Sequence, residues 1–361
     1  MKKVIEIVTV LMVLGLATQV TNADYVFGIP ENLGSTVNSS AMDGVPSMSA
    51  DGLELFFNSN RAGGVGEFDL WVTMRPTLED SWEEPINLGS IVNTTDHDSA
   101  PFISPDGLSL YFESTRPGGY GGWDIWVTTR ATRADEWSKP INLGPPINTS
   151  TDDRSGSISP DGLTFFFSSS RTGGSGSTDL WISTRDTTND PWGEPVNLGS
   201  TVNSSSVEDW PSISSDGRML LFMSNRASGY GFFDIWMITR STADDEWSTP
   251  VNLGSTMNTS DFDGTASVSS DGSTLLFMSG RSGGIGSFDI WQASIDPVVD
   301  LNSDGIVDSI DMCIIVDNWG TDNPLCDIGP MPWGDGVVDV EDLIVLAEHL
   351  FEEFPLADSI E

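Results

Sequence analysis

Between Asp300 and Asp311 the chain reads DLNSDGIVDSID. Asp300, Asn302 and Asp304 take positions 1, 3 and 5 of this twelve-residue stretch, Gly305 stands at 6, Ile306 offers its carbonyl at 7, and Asp308 and Asp311 fall at 9 and 12. Calcium takes roughly six to eight hard oxygen ligands from a loop that wraps around it, and this spacing supplies them, with a glycine where the chain must turn sharply. The Glu usual at position 12 is Asp here. A second, eroded copy, GDGVVDVED, puts Asp335, Asp339 and Asp342 at positions 5, 9 and 12. Its positions 1 and 3 are Met331 and Trp333, whose side chains cannot ligate; Asp327 can serve instead if the loop is longer. A short helix is expected after each copy. The first ends near Gly320; the second carries Leu343, Leu346, Ala347 and Leu350 at helical spacing. Calcium is therefore the expected cofactor.

Five more carboxylates, Asp43, Asp98, Asp153, Glu208 and Asp263, recur at a constant step of 55 residues. If the steps close into a ring, five acids meet at one mouth. Each then accepts hydrogen bonds from its own loop, or together they favour a bound cation or polar ligand. A ligand site usually breaks symmetry, and His97, Arg154, Asp209 and Trp210 match nothing in the equivalent loops of the other units, while Asp96 and Asp261 match only each other. Trp210 can stack on a sugar ring and Arg154 can pair with a carboxylate, so these residues outline a candidate glycan- or peptide-binding face. Drift between duplicated units explains them equally well. Catalysis is poorly supplied. There are two histidines, His97 and His349, and no zinc-protease motif, nucleophile elbow or phosphate loop. Carboxylates are plentiful, but no pair is singled out for glycoside hydrolysis.

These groups must be positioned by a repeat. Asp-Gly occurs at Asp51, Asp106, Asp161, Asp216 and Asp271, with Arg61, Arg116, Arg171, Arg226 and Arg281 and then Asp69, Asp124, Asp179, Asp234 and Asp289 at the same 55-residue step. Segments such as LELFFNS and LSLYFES are short, apolar and aromatic, as strands are. Asp-Gly before them predicts a tight hairpin. RAGGVGEFDLW, from Arg61 to Trp71, leads into a strand and not a helix, so it is read as a structural turn in which Arg61 bonds Asp69 or nearby carbonyls, not as a phosphate loop. Four strands per unit predict a β-propeller of five four-stranded blades. The fourth-strand motif already appears at residues 30–34, and Phe27 stands where Trp82, Trp137, Trp192 and Trp247 stand later. The N-terminal strand is thus expected to complete the last blade and remove an exposed edge.

SPDGLSLYFESTRPGGYGGWDIW, with its S-P-D-G, S-x-R and D-I-W, resembles the TolB-type (WD40-like) propeller repeat over roughly residues 25–295. The visible units number five, where members of that family often have six. The two calcium-loop-plus-helix units resemble a type I dockerin, an EF-hand-like module, over about residues 299–353. That resemblance implies docking to a cohesin-like protein partner, often in assemblies that degrade polysaccharides or attach proteins to cell surfaces.

Residues 1–23 read as a signal peptide, with Lys2 and Lys3 before a short apolar run; residues 24–296 form the propeller and 297–361 the acidic helical domain. The location expected is periplasmic, cell-surface or extracellular, with no membrane span in the mature chain. The net charge of −39 repels phosphate backbones, so nucleic acid is excluded as a partner. Cys313 and Cys326 are the only cysteines and could form a disulfide in an exported protein. The expected function is non-catalytic recognition by the propeller and calcium-dependent docking by the C-terminal domain. A propeller glycoside hydrolase or lyase, and a structural envelope protein, are the alternatives.

Overall fold

The computed structural model of the protein describes residues 25–352 apart from 303, 324, 330–333 and 335–336; the expected leader lies outside them. Four of the sheets are antiparallel and four-stranded, and the fifth has five strands. The first runs outward through Asp43–Met48, Glu54–Ser59, Asp69–Met74 and Ile86–Asn87. The innermost strands of the other blades are Asp98–Ile103, Asp153–Ile158, Glu208–Ile213 and Asp263–Val268. These five strands touch in sequence, and the fifth returns to the first, so the ring is a five-bladed propeller. The last blade is completed from the N-terminus, where Glu31 and Asn32 pair with Gln292 and Trp291, and Tyr25–Phe27 pair with Ile295–Pro297. Closure of the ring thus satisfies the outer edge of the strand Asp289–Pro297.

The hairpins form as the sequence predicts: the glycine of each Asp-Gly pair has φ between +71° and +74°, a left-handed conformation that costs glycine little. Phe57, Phe112, Phe167, Phe222 and Phe277 are at most 1% exposed between the blades, and each buried aromatic contributes about 1.5–3 kcal/mol. The glycine-rich turns are required by close approach. A Cβ on Gly64 would lie 2.2 Å from Asp69 Oδ2, and one on Gly66 would lie 2.3 Å from the Thr94 carbonyl of the next blade.

The C-terminal region has its own core of Val299, Val307, Ile315, Cys326, Ile328, Val338, Val345 and Leu346. Its helices, Ser309–Asp317 and Val340–Glu348, are N-capped by Asp308 and Asp339, and Asp311 and Asp342 complete the capping boxes. The two units hold each other reciprocally. The chain after the first helix bonds Val338 through Gly320 and Thr321, and the chain after the second bonds Val307 through Phe351 and Glu352. The disulfide is not formed: Cys313 is exposed on the first helix, whereas Cys326 is buried in the core.

Candidate ligand face and cation loop

Asp43, Asp98, Asp153, Glu208 and Asp263 each open an innermost strand, and each is 0% exposed. They do not form an open acidic ring. Each pairs with the arginine 18 residues further on, Arg61, Arg116, Arg171, Arg226 or Arg281, at 2.5–3.0 Å. The same guanidinium donates to the carbonyl of Val37, Val92, Ile147, Val202 or Met257 and lies between a Phe and a Trp, as Arg61 does between Phe57 and Trp71. Arg61 therefore bonds Asp43, not Asp69. Asp69 is occupied by the amides of Val65 and Gly66 and by Asn87.

Symmetry breaks one layer further in. Each innermost strand bulges after its second residue, as between Gly44 and Ser47, and the bulge residues Val45, Ala100, Trp210 and Thr265 have φ near +50°. In this layer a residue on the second strand of one blade meets the residue 41 positions later, on the innermost strand of the next. Glu113 meets Arg154 at 3.3 Å, and the Ser168 hydroxyl donates to Asp209. Met223 covers Gly264 and Met278 covers Gly44, with sulfur 2.9 Å and 2.0 Å from where a Cβ would stand. The junctions from blade 2 to blade 4 are therefore polar, and those from blade 4 through blade 5 to blade 1 are apolar.

The polar sector gathers three of the four symmetry-breaking residues. Arg154 bridges Glu113 and Asp209, the latter at 3.8 Å, and lies 4.8 Å over the Trp123 ring. Trp210 Nε1 donates to Glu113 at 3.4 Å. Arg154 thus pairs with the protein's own acids and not with a ligand carboxylate. His97 lies one ring further out, between Phe68 and Trp123 at 5.7 and 5.6 Å, and contacts Glu67 at 2.7 Å. Phe233, Phe262 and Phe288 form the opposing aromatic row. Sequence reasoning missed Glu113 and Trp123. The signal for Glu113 was present, since it is the one acid at its repeat position, where Asn58, Ser168, Met223 and Met278 stand elsewhere.

The channel beneath is lined by Val45–Ser47, Ala100–Phe102, Gly156, Trp210–Ser212 and Thr265–Ser267 and encloses about 40 Å³. That volume holds about three waters, to which the buried Thr265 and Ser267 hydroxyls, unpartnered among the described residues, are suited. That volume is too small for a sugar ring.

Burial pushes the Asp209 carboxyl above the ordinary range, and Arg154, Ser168 and the Trp210 amide only partly offset it. Burial works against the Arg154 charge, yet Glu113, Asp209 and Asp152 together hold its pKa above the usual value. Folded Asp209 therefore binds its proton more tightly than the unfolded chain does. Its contribution is fully present below the unfolded carboxylate value of about 3.9 and is lost as pH rises through the folded value. Asp209→Asn is expected to gain stability relative to the parent as pH rises from about 4 to about 7. Urea titrations at several pH values check this, and parallel curves would contradict it.

In the first cation loop, Asp300 accepts from the amides of Asp304 and Gly305 at 3.1 and 2.8 Å, and Asp304 accepts from Ile306 at 3.0 Å. Asn302 donates to Asp304 at 2.8 Å. Asp311, fully buried, accepts from Leu301, Asn302 and Asp308. Among the described residues no three acidic, histidine or cysteine side chains stand close enough to share an ion; the loop carboxylates face backbone amides. The donor set is nonetheless all oxygen and curls around Gly305 at φ +89°, which fits a hard cation. In the second loop Asp335 lies outside the described residues. Asp339 accepts from Glu341, and Asp342 accepts from Gly329 and Asp339.

No family model matches the chain, and no curated protein matches it. Solved structures do. A putative TolB from Agrobacterium tumefaciens aligns at 18% identity over 71% of this chain and 78% of its own, with a TM-score of 0.43. An α-L-arabinofuranosidase from Lactobacillus brevis aligns at 13% identity over 71% and 90%, with a TM-score of 0.50. An endo-arabinase from Bacteroides thetaiotaomicron aligns at 14% identity over 75% and 97%, with a TM-score of 0.49. At 13% identity the likeness to the arabinofuranosidase is one of fold alone.

Proposed function

We propose that this protein is an exported recognition and docking protein. Its propeller face binds a neutral glycan or a protein segment, and its C-terminal region takes calcium and attaches the whole to a protein partner of cohesin-like role. One observation carries the recognition half: Glu113, Trp123, Arg154, Asp209 and Trp210 converge on one sector of the channel mouth, in blades otherwise repeated fivefold. An anionic ligand is disfavoured, because Arg154 is already shared by two acids and the chain carries a net charge of −39. Exposed rings at Tyr120, Tyr230 and Phe232 widen the contact area beyond the mouth. The docking half is supported by Ile310, Val316 and Trp319, which are 48–52% exposed along the first C-terminal helix and the turn after it. Exposed apolar side chains on so acidic a chain fit a protein partner. Export rests on the leader composition. Among the described residues no helix is long and apolar enough to cross a membrane.

Trp210→Ala is the direct test, read by affinity electrophoresis through neutral polysaccharides and by capture of proteins from a secreted extract. A loss of about 30-fold or more is expected for a buried aromatic anchor, and unchanged affinity for every ligand retained by the parent would exclude this face. A hydrolase reading has one observation on its side, a buried carboxyl that favours its proton beside a second acid. Release of reducing ends by the parent, lost in Asp209→Asn, would favour it over pure recognition.

A further inference from the structure

Trp210 lines the channel pocket and is fixed at both ends: its amide donates to Asp209 at 2.9 Å and its Nε1 to Glu113 at 3.4 Å. Every other tryptophan of the propeller lies under a guanidinium, at 4.1–5.4 Å. The half-buried Trp210 ring carries no such cover among the described residues. In the pocket beside it, Thr265 stands at the repeat position of Val45 and Ala100, yet buries a hydroxyl there, 3% exposed and unpartnered among the described residues. Ser267 Oγ is also buried and unpartnered, whereas Ser47 and Ser157, at its repeat position, accept from the Ile103 and Ile213 amides of the next blade. A buried hydroxyl without a partner is costly, and two at one small pocket mark a place for a guest's polar atom. We infer that this face reads a hexopyranose unit by its exocyclic hydroxymethyl group: the sugar ring lies on Trp210, and the arm enters the pocket, where its oxygen bonds Thr265 and Ser267. This ligand class rests on the glycan half of the proposed recognition and narrows it.

Size and chemistry agree. The pocket's volume of about 40 Å³ excludes a ring but admits the one carbon and one oxygen of the arm. The methylene meets the apolar walls of Val45, Ala100 and Ala266. A hydroxyl donates once and accepts twice, so it can serve two protein hydroxyls together and reproduce the bonds of the water it displaces. A pentopyranose has no such arm and would leave both protein hydroxyls unpaired. A 1,6-linked chain spends the same oxygen on its linkage. A sugar acid gains nothing here, because Arg154 is already shared by Glu113 and Asp209. The serine side chain of a protein segment offers the same two atoms, but brings no ring to lie on Trp210.

The test is affinity electrophoresis of the full chain through gels of mixed-linkage β-glucan, glucomannan or starch, whose arms are free, of xylan, which has none along its backbone, and of dextran, whose arms are linked. Retention by at least one of the first three is expected, with binding to xylan and dextran weaker by about tenfold or more. Thr265→Val and Ser267→Ala are each expected to weaken the retained hexose polymer about tenfold and to leave any residual binding to xylan unchanged. Val45 already holds the backbone that Thr265 adopts, both at φ +51°, so Thr265→Val is compatible with the fold. Equal retention by xylan or dextran, or unchanged affinity in both variants, would overturn the sugar class and leave a glycan face standing. Absence of retention in every gel would overturn it together with the glycan half of the proposed function, whether or not a protein is captured through Trp210.

Discussion

Chelating calcium is expected to loosen residues 299–352 and to leave the propeller folded. Asp300, Asp304, Asp308 and Asp311 lie within one twelve-residue loop, and their mutual repulsion must be relieved by a cation or by partial opening of the loop. The core they frame is small, eight buried apolar side chains among the described residues with two nine-residue helices, and a core of that size adds only marginal stability. If the loop takes calcium, binding free energy is folding free energy in this region. The propeller closes its sheets through the pairing of Glu31 and Asn32 with the last blade. With EDTA, limited proteolysis is expected to cut within residues 299–352 while the propeller fragment persists and the helical part of the circular dichroism falls. Identical cleavage and spectra with and without chelator would show that the loop is ordered by its own amides alone.

Asp98→Ala is expected to destabilise the propeller by about 3–5 kcal/mol, the usual loss when one partner of a buried ion pair is removed. Asp98 is 0% exposed and its partner Arg116 is 9% exposed. The carboxylate also accepts from Thr94 and from the Ser114 hydroxyl at 2.6 Å. Its removal strands a guanidinium held between Phe112 and Trp126 and leaves the inner loop untied. Asp51→Ala serves as the contrast, since the Asp51–Arg133 pair is 41% and 34% exposed and an exposed pair contributes at most about 1 kcal/mol. Urea denaturation of both variants measures the difference. Equal, small losses would show that the buried ring does not staple the blades. Adding Arg116→Met to Asp98→Leu is expected to recover part of the loss, because an apolar pair leaves no charge buried.

Much of the architecture was legible because a propeller blade is built from local hairpins. Asp-Gly turns, aromatic strands and a period of 55 residues record contacts between neighbours in the chain, and the early copy of the fourth-strand motif told where the ring closes. The helices after Asp308 and Asp339 were legible for the same reason, since a capping box is a contact over three residues. Within a blade, even so, periodicity could not choose between Asp69 and Asp43 as the partner of Arg61, because both keep the same step. Strand register decided it, by bringing the start of the innermost strand beside Ser59 and turning Asp69 toward its own loop. The carboxylates that looked like an open ring were buried by that choice. Contacts between blades left still less trace. Glu113 with Arg154, Ser168 with Asp209, and Met223 against Gly264 each join residues 41 apart whose pairing depends on how two twisted sheets pack, and Arg218 meets Gly334 across 116 residues. The sequence by itself determined the number of blades, their closure and the oxygen-rich loop; the tertiary structure alone decided which charges are spent inside the ring and which face outward, because the 41-residue step between meeting residues arises only from how two twisted sheets pack.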